Sequence, residues 1–465
     1  MPYSQEYADK TSHVDIVKNP EIQSFLSECK FMIEPTIEEI QAVNNKFIAP
    51  PEYNDILPDN ILSIDGSNYE SNIRDDIPHT RIGYVKIGNL LIKRNQYNSL
   101  QDGSAFINPF KVAALKENNS SITFALPSSN IEYKGQQNVR DGFRLALDNS
   151  LHEVRTISTD PSTSLRATLF RLAAYRTGSF AITEKDTLIL QKCPNCEIEK
   201  LLIKNISEEQ FCPNPDCKKI IYPSDCLRIW EEVTDFVSNQ TALTRFMNVI
   251  EHIFMIHYIR VIRDMNPQSF VDVLNNLCFF VDGPLAIFGN PAWVHSSIMK
   301  FLYEVNEEMI KHGKNPIMIL GLQKSGKVYD YLQLIGKSLK NNSIYCLEDD
   351  FRYKYIDFDK TPSASTFGSE TYYGQDFLFK TQSGRTFVFS VPYPFKDKQN
   401  PIEFTHKKCN IDNYSNIGAY TKLIEDFECD LYENAVVPIA LAHKYTAISL
   451  KPGSKVLDLL SRSNI

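Results

Sequence analysis

Cys193-Pro-Asn-Cys196 and Cys212-Pro-Asn-Pro-Asp-Cys217 set two close cysteine pairs fifteen residues apart. C-x2-C followed by C-x4-C at this separation forms two knuckles whose thiolates converge tetrahedrally on one Zn²⁺. Proline and asparagine inside the knuckles suit tight turns that aim backbone amides at sulfur. Four thiolates leave no open coordination position, so such a site is a fold element that helps stabilise a segment poor in apolar residues. Redox use of the thiols is the alternative, and the spacing also admits Cys226 in place of one of the four. Cys29, Cys278, Cys346, Cys409 and Cys429 lie scattered, mostly beside apolar or aromatic residues, and read as small buried hydrophobes.

The remaining chain is long enough, at 465 residues, for two or three modules. It contains no apolar run of about 18 residues, so no membrane-spanning helix is expected. The opening Met1–Lys10 lacks the apolar core of a signal peptide, and the expected location is cytoplasmic. A disulfide framework is not expected there. No internal repeat or low-complexity tract is present.

Along the chain, Asn19–Phe31 and Thr36–Phe47 read as helices, the second ended by Ala49-Pro50-Pro51. Asn60-Ile-Leu-Ser-Ile-Asp65-Gly66-Ser67 reads as a strand halted by a turn, and Arg81–Lys93 as another strand. Loops are expected at Glu117–Ser121 and Pro127–Asn130, a helix at Ser164–Tyr175, and one or two long amphipathic helices over Leu227–Arg263. Asn276–Ile287 is a second apolar run broken by Asp-Gly, a helix follows over 292–312, and Asn315–Gly321 is a third buried strand. Gly374–Pro392 reads as a hairpin, with Phe377, Phe379, Phe387 and Phe389 alternating around Ser383-Gly384. Asn410–Lys451 is helical again. Strands alternating with helices predict an α/β core with a mixed sheet. The expected domains are 1–160, an insertion at 161–228 carrying the cysteines, and 229–465.

Asp65 and Asp282 each close an apolar run and precede a glycine. Side chains at the carboxyl ends of neighbouring strands meet in the crevice of an α/β sheet. Two carboxylates there repel unless cations lie between them, and hard divalent cations take such oxygen ligands. The bland reading is two ordinary strand-ending turns, since Asp-Gly is a commonplace turn dipeptide.

Gly321-Leu-Gln-Lys-Ser-Gly-Lys327 fits the phosphate-cradling G-x4-G-K pattern, directly after an apolar run. Position 328, however, is valine, where such loops place the Ser or Thr that holds Mg²⁺. Lys324 in a turn after a buried strand, reaching a substrate phosphate, is the preferred reading. The segment from Lys311 to Lys354 is rich in lysine and arginine, either as a solvated face or as a contact for phosphates. The formal charge of −8 runs against non-specific nucleic-acid affinity but leaves room for a local basic stretch beside cation-holding carboxylates.

Taken in order, Asp65-Gly66-Ser67, Asp282-Gly283-Pro284-Leu285, Lys324-Ser325-Gly326 and Pro438-Ile-Ala-Leu-Ala-His443 resemble the NurA nuclease family over roughly residues 55–100 and 230–450. The resemblance implies a ribonuclease-H-like mixed sheet flanked by helices; the zinc ribbon, read from the cysteine spacing, is an insertion added to the family's minimal pattern. It implies a dimeric enzyme that uses Mn²⁺ or Mg²⁺ to hydrolyse DNA phosphodiesters and works with a HerA-type hexameric ATPase. Carried over, Asp65 and Asp282 become metal-binding aspartates, Lys324 a phosphate contact, and His443 a metal ligand or proton carrier. The family's helical glutamate is matched by Glu251, with Glu231 and Glu232 as competitors. A family tyrosine has its nearest counterpart in Tyr432. A non-catalytic scaffold docking onto an ATPase through the ribbon or the aromatic hairpin, and a P-loop nucleotide hydrolase, are the rival readings.

Overall fold

The computed structural model describes residues 11, 13–29, 35–74, 76–77, 79–98, 119–357, 366–429 and 435–464. The chain divides into two compact units, Met1–Lys46 and Phe47–Ile465. In the first, helices Pro20–Glu28 and Ile37–Asn44 begin on Asn19 and Thr36. Thr36 and Glu39 close a reciprocal capping box, which satisfies two backbone donors that a helix start leaves bare. Cys29 is exposed, against its reading as a buried hydrophobe.

The second unit is built on one eight-stranded mixed sheet. Strands β1 (Asn60–Asn72), β2 (Arg81–Lys93) and β3 (Asn119–Pro127) form an antiparallel meander. Between them and the rest of the sheet come four ribbon strands: β4 (Thr187–Lys192), β5 (Glu199–Lys204), β6 (Gln210–Phe211) and β7 (Ile220–Ile221). The sheet resumes with β8 (Leu277–Asp282), β9 (Met318–Gln323), β10 (Ser343–Cys346), β11 (Gly374–Lys380) and β12 (Thr386–Pro392). The spatial order is β10-β11-β12-β9-β8-β1-β2-β3, with β1, β8 and β9 parallel at the centre. This is the mixed α/β sheet flanked by helices expected from the sequence.

Both faces of the sheet are covered, which is why the central strands are apolar without alternation. Leu277, Phe279 and Val281 enter one core cluster, while Cys278 and Phe280 enter the other. The first face packs against helices α1 (Val139–Glu153), α2 (Leu165–Ala173), α3 (Gln240–Met265) and α4 (Val294–Lys311). Helix α5 (Lys327–Gly336) follows β9, and the second face is closed by α6 (Ile417–Phe427) and α7 (Val437–Thr446). A last helix, α8 (Gly453–Asn464), lies against β1. The hairpin β11–β12 turns at Gly384, at φ +97°. Its four phenylalanines are at most 1% exposed, so they build core and offer no docking surface.

Three local expectations are corrected. Asp65-Gly66 does not end its strand: β1 runs on through it to Asn72, paired with β2 throughout. Asn119–Ser121, expected as loop, opens β3, where pairing to β2 outweighs a polar local sequence. The expected helix over Leu227–Arg263 starts only at Gln240, because left-handed Arg228 at φ +55° separates two 3₁₀ turns ahead of it.

Candidate metal centres

Parallel pairing of β1 with β8 ends at Ile64 opposite Val281, so the next residues, Asp65 and Asp282, come level at the mouth of the crevice. Beyond that point the two strands part. β8 stops, and Gly283 turns the chain away at φ +92°, its N–H bonding Leu322 O at 2.8 Å. β1 continues along β2, and Gly66 is extended backbone rather than a turn. Its lack of a side chain has another cause. A Cβ at Gly66 would overlap the Glu251 carboxylate and stand 2.7 Å from Met247 Cγ. Glycine there lets α3 press Glu251 against the strand.

Two further elements complete the crevice. Lys324 sits on the short connection from β9 to α5, and its Nζ bonds Asp282 Oδ2 at 2.7 Å. His443 on α7 pairs through Nδ1 with Asp65 Oδ2 at 3.2 Å. Asp65, Glu251, Asp282, Lys324 and His443 thus line one cavity. Asp65, Asp282 and His443 hold ligand atoms within 4.8 Å of one another, while Glu251 lies outside that tight group as a buried neighbour. The competing glutamates are engaged elsewhere, Glu231 with Arg228 and Glu232 with Arg245.

The electrostatics mark the site as short of positive charge. Burial, followed by the charges of Asp65 and Asp282, holds the Glu251 carboxyl well above the usual carboxylate range. Burial also pushes Asp282 up to about 6, with Asp65 adding to the rise and Lys324 opposing it. The hydrogen bond to Asp65 raises His443 above the ordinary imidazole value, against an opposing effect of burial. Three carboxyls share one ammonium and one imidazole, and the donors are hard oxygens. That set fits divalent cations such as Mn²⁺ or Mg²⁺, whose charge removes the repulsion that drives these carboxyls towards their protonated form.

The cysteines form a second centre. Cys193, Cys196, Cys212 and Cys217 bring all four sulfurs within 4.8 Å of one another. Cys193 Sγ lies 3.9 Å from Cys217 Sγ, and Cys196 Sγ 3.6 Å from Cys212 Sγ. A tetrahedral zinc thiolate site, with Zn–S of about 2.3 Å, has sulfur–sulfur edges of about 3.8 Å, so the donors fit that ion. Asn195 N–H points at Cys193 Sγ over 3.4 Å, as a knuckle requires. Cys226 is buried outside this group.

Gly321, the first glycine of the G-x4-G-K pattern, lies inside β9, where a Cβ would stand 2.6 Å from Gly283 O. Only Lys324–Gly326 bridge strand and helix, too short a loop to cradle phosphates, and Lys327 pairs with Asp357 at 3.3 Å. The basic segment is similarly dispersed: Lys314 pairs with Asp272 and Arg352 is buried against Asp376. Sequence reasoning missed Asn248 and Gln323, both of which line the crevice. Asn248 precedes Glu251 by three residues on α3, a helical spacing that could have marked it. Gln323 is held by Asp376 at 2.8 Å, a partner 53 residues away with no local signal. Tyr432 lies outside the described residues.

No family model and no curated protein matches the chain. Among solved structures it is similar to the NurA nuclease from Sulfolobus solfataricus, at 7% identity and a TM-score of 0.35, over 97% of this chain and 94% of that one.

Proposed function

We propose that this chain is a divalent-metal-dependent deoxyribonuclease of the NurA type, with Asp65, Asp282 and Glu251 as the cation-holding carboxylates and His443 beside them. The observation that carries the reading is the convergence of three carboxylates, buried or partly buried, with more negative charge than Lys324 and His443 neutralise. When bound, the cations supply Lewis acidity towards the phosphate and acidify a water molecule.

The chain's own residues have separate tasks. Lys324 now serves as counter-ion to Asp282. With Asp282 engaged as a cation ligand, Lys324 would be left to meet a phosphate oxygen and orient the substrate. Asp65 holds His443 through Nδ1, which leaves Nε2 for proton transfer at the reacting phosphate. In the net reaction a water oxygen bonds phosphorus as the phosphorus–oxygen bond to the leaving strand breaks. The attacking water gives up a proton to solvent, and the leaving oxygen takes one up, with His443 Nε2 as the carrier beside the phosphate. The four-cysteine centre, as structural Zn²⁺, keeps the ribbon folded and takes no part in these steps.

The resemblance of the four motifs extends the proposal to a homodimer that works with a HerA-type hexameric ATPase, in DNA end processing or anti-phage defence. The test is cleavage of linear single- and double-stranded DNA in Mn²⁺, Mg²⁺ or EDTA by wild type and Asp65→Asn. Cation-dependent cutting that the substitution reduces by at least about a hundredfold is the expected result. Folded, zinc-loaded protein that cuts nothing, even with such an ATPase added, would instead be a scaffold.

A further inference from the structure

Beside the metal crevice lies a second recess, which shares Asn248, Glu251, Asp282, Gly283 and Pro284 with it as a common wall. Its far side is apolar, made by the buried Val249, Ala286 and Ile287. Phe288 forms the lip, 45% exposed and held edge-on by Tyr372, with ring centroids 5.8 Å apart at 86°. Asn248 offers an amide that makes no hydrogen bond among the described residues. The only guanidinium on the rim among those residues, Arg245, is already neutralised by Glu232 at 2.9 Å and bonded to Phe288 O at 3.0 Å.

This chemistry selects against a phosphate. The lining carries carboxylates, the neutral imidazole of His252 held through Nδ1 at 2.6 Å from the Tyr373 hydroxyl, and no unpaired cation, whereas an exposed aromatic ring, apolar walls and the Asn248 amide suit a flat, uncharged heterocycle with polar edges. A nucleotide whose phosphate sits at the carboxylates carries its base within about one sugar's length, and the recess adjoins those carboxylates through the shared wall. Resting on the nuclease reading, we infer that this recess is a nucleobase pocket, in which the base next to the scissile phosphate stacks on Phe288 and meets the Asn248 amide. A base paired inside a duplex cannot enter without leaving its stack. The pocket therefore commits the enzyme to single strands or frayed ends, and it is indifferent to sequence wherever stacking outweighs the single amide contact.

The test uses the full chain in Mn²⁺ and single-stranded oligonucleotides in which one abasic residue is moved along the strand. Wild type, Phe288→Ala and Phe288→Trp are compared by kcat/KM at each bond. Wild type should cut the bond beside the abasic residue about tenfold more slowly than the same bond in intact DNA. Phe288→Ala should cut intact DNA slower by the same factor and lose the discrimination, and Phe288→Trp should restore both. Phe288 is half exposed, so its truncation leaves the fold in place, and melting curves verify that. Equal cutting of abasic and intact DNA by wild type, or undiminished discrimination in Phe288→Ala, overturns the pocket alone. Absence of cation-dependent cleavage on any strand overturns the nuclease reading and the pocket with it.

Discussion

Protons and cations compete for the same carboxyl oxygens at Asp282 and Glu251, and the direction of that competition follows from their environments. Asp282 is raised to about 6 from an ordinary aspartate value of about 3.9. A group raised by folding contributes stability in full below its unfolded pKa and loses it as pH climbs through the folded value. The cation-free protein should therefore lose stability between about pH 4 and pH 6, and Asp282→Asn should flatten that part of the melting profile. Cation binding should weaken by up to about tenfold for each pH unit below 6. Because burial and the neighbouring aspartates also hold Glu251 well above the usual carboxylate range, Mn²⁺ binding should release protons, read by calorimetry across a series of pH values in buffers of different ionisation enthalpy. Proton release that Glu251→Gln leaves unchanged at every pH would remove Glu251 from the ligand set.

The two glycines that follow the aspartates separate by the same kind of argument. Gly66→Ala places a methyl against Glu251 and Met247, and overpacking of this kind costs about 1–3 kcal/mol and displaces the glutamate. Gly283→Ala meets open space, but at φ +92° it costs roughly 1 kcal/mol of backbone strain. Cleavage should fall by more than tenfold in the first and by much less in the second. The opposite ranking, measured alongside melting temperatures, would show that Gly66 does not set Glu251 in place. The sequence could not separate these glycines, since Asp-Gly reads as a turn in both. One is a turn, and the other is a gap for a helix that arrives 185 residues later in the chain (Gly66 to Glu251).

At the scale of elements, legibility tracked how locally each element is determined. The knuckles, the hairpin around Ser383-Gly384 and the buried runs at Asn276–Asp282 and Asn315–Gly321 announce themselves within a few residues, although the last strand runs on to Gln323. β3 and α1 were not recognised, because β3 is polar at its start and acquires its identity from pairing with β2. Glu251 could be preferred to Glu231 and Glu232 only through a motif resemblance, since nothing near any of the three reveals which helix face meets β1. The ribbon gives a prediction of its own. Leu188, Leu190, Leu201, Ile203 and Ile221 are its few apolar anchors, so metal ligation is a large share of what orders it. Cys196→Ser should abolish stoichiometric zinc by atomic absorption and strip hydrogen-exchange protection from residues 187–221. Amides of β1, β8 and β9 should keep theirs. Loss of protection throughout the sheet would make the ribbon a keystone of the fold rather than an insertion.

Over the whole molecule, the proposed action on DNA needs a source of attraction in an acidic chain, and half of the eight cations between Lys311 and Lys354 are already paired with carboxylates, while Lys311, Lys337 and Lys340 stay exposed. The charge is −8, and Lys314, Lys327 and Arg352 of the basic segment are each spent on a carboxylate. Lys324 is likewise tied to Asp282 until a cation displaces it. Affinity should therefore come through the bound cations and the few groups they release, with little counter-ion release from the rest of the surface. In EDTA, binding of a single-stranded oligonucleotide followed by fluorescence anisotropy should be weak. Ca²⁺, a hard cation of the same charge that demands less rigid geometry, should restore binding without efficient cutting. The dependence of log affinity on log salt should then have a slope of about −2 or shallower, since each neutralised phosphate on a single strand contributes about −0.7. A slope of about −5, or tight binding in EDTA, would mean that a basic surface rather than the metal crevice holds the strand. On the proposed nuclease reading, a shallow slope would also predict that a translocating partner raises cleavage by supplying the local DNA concentration that the chain's own charge does not.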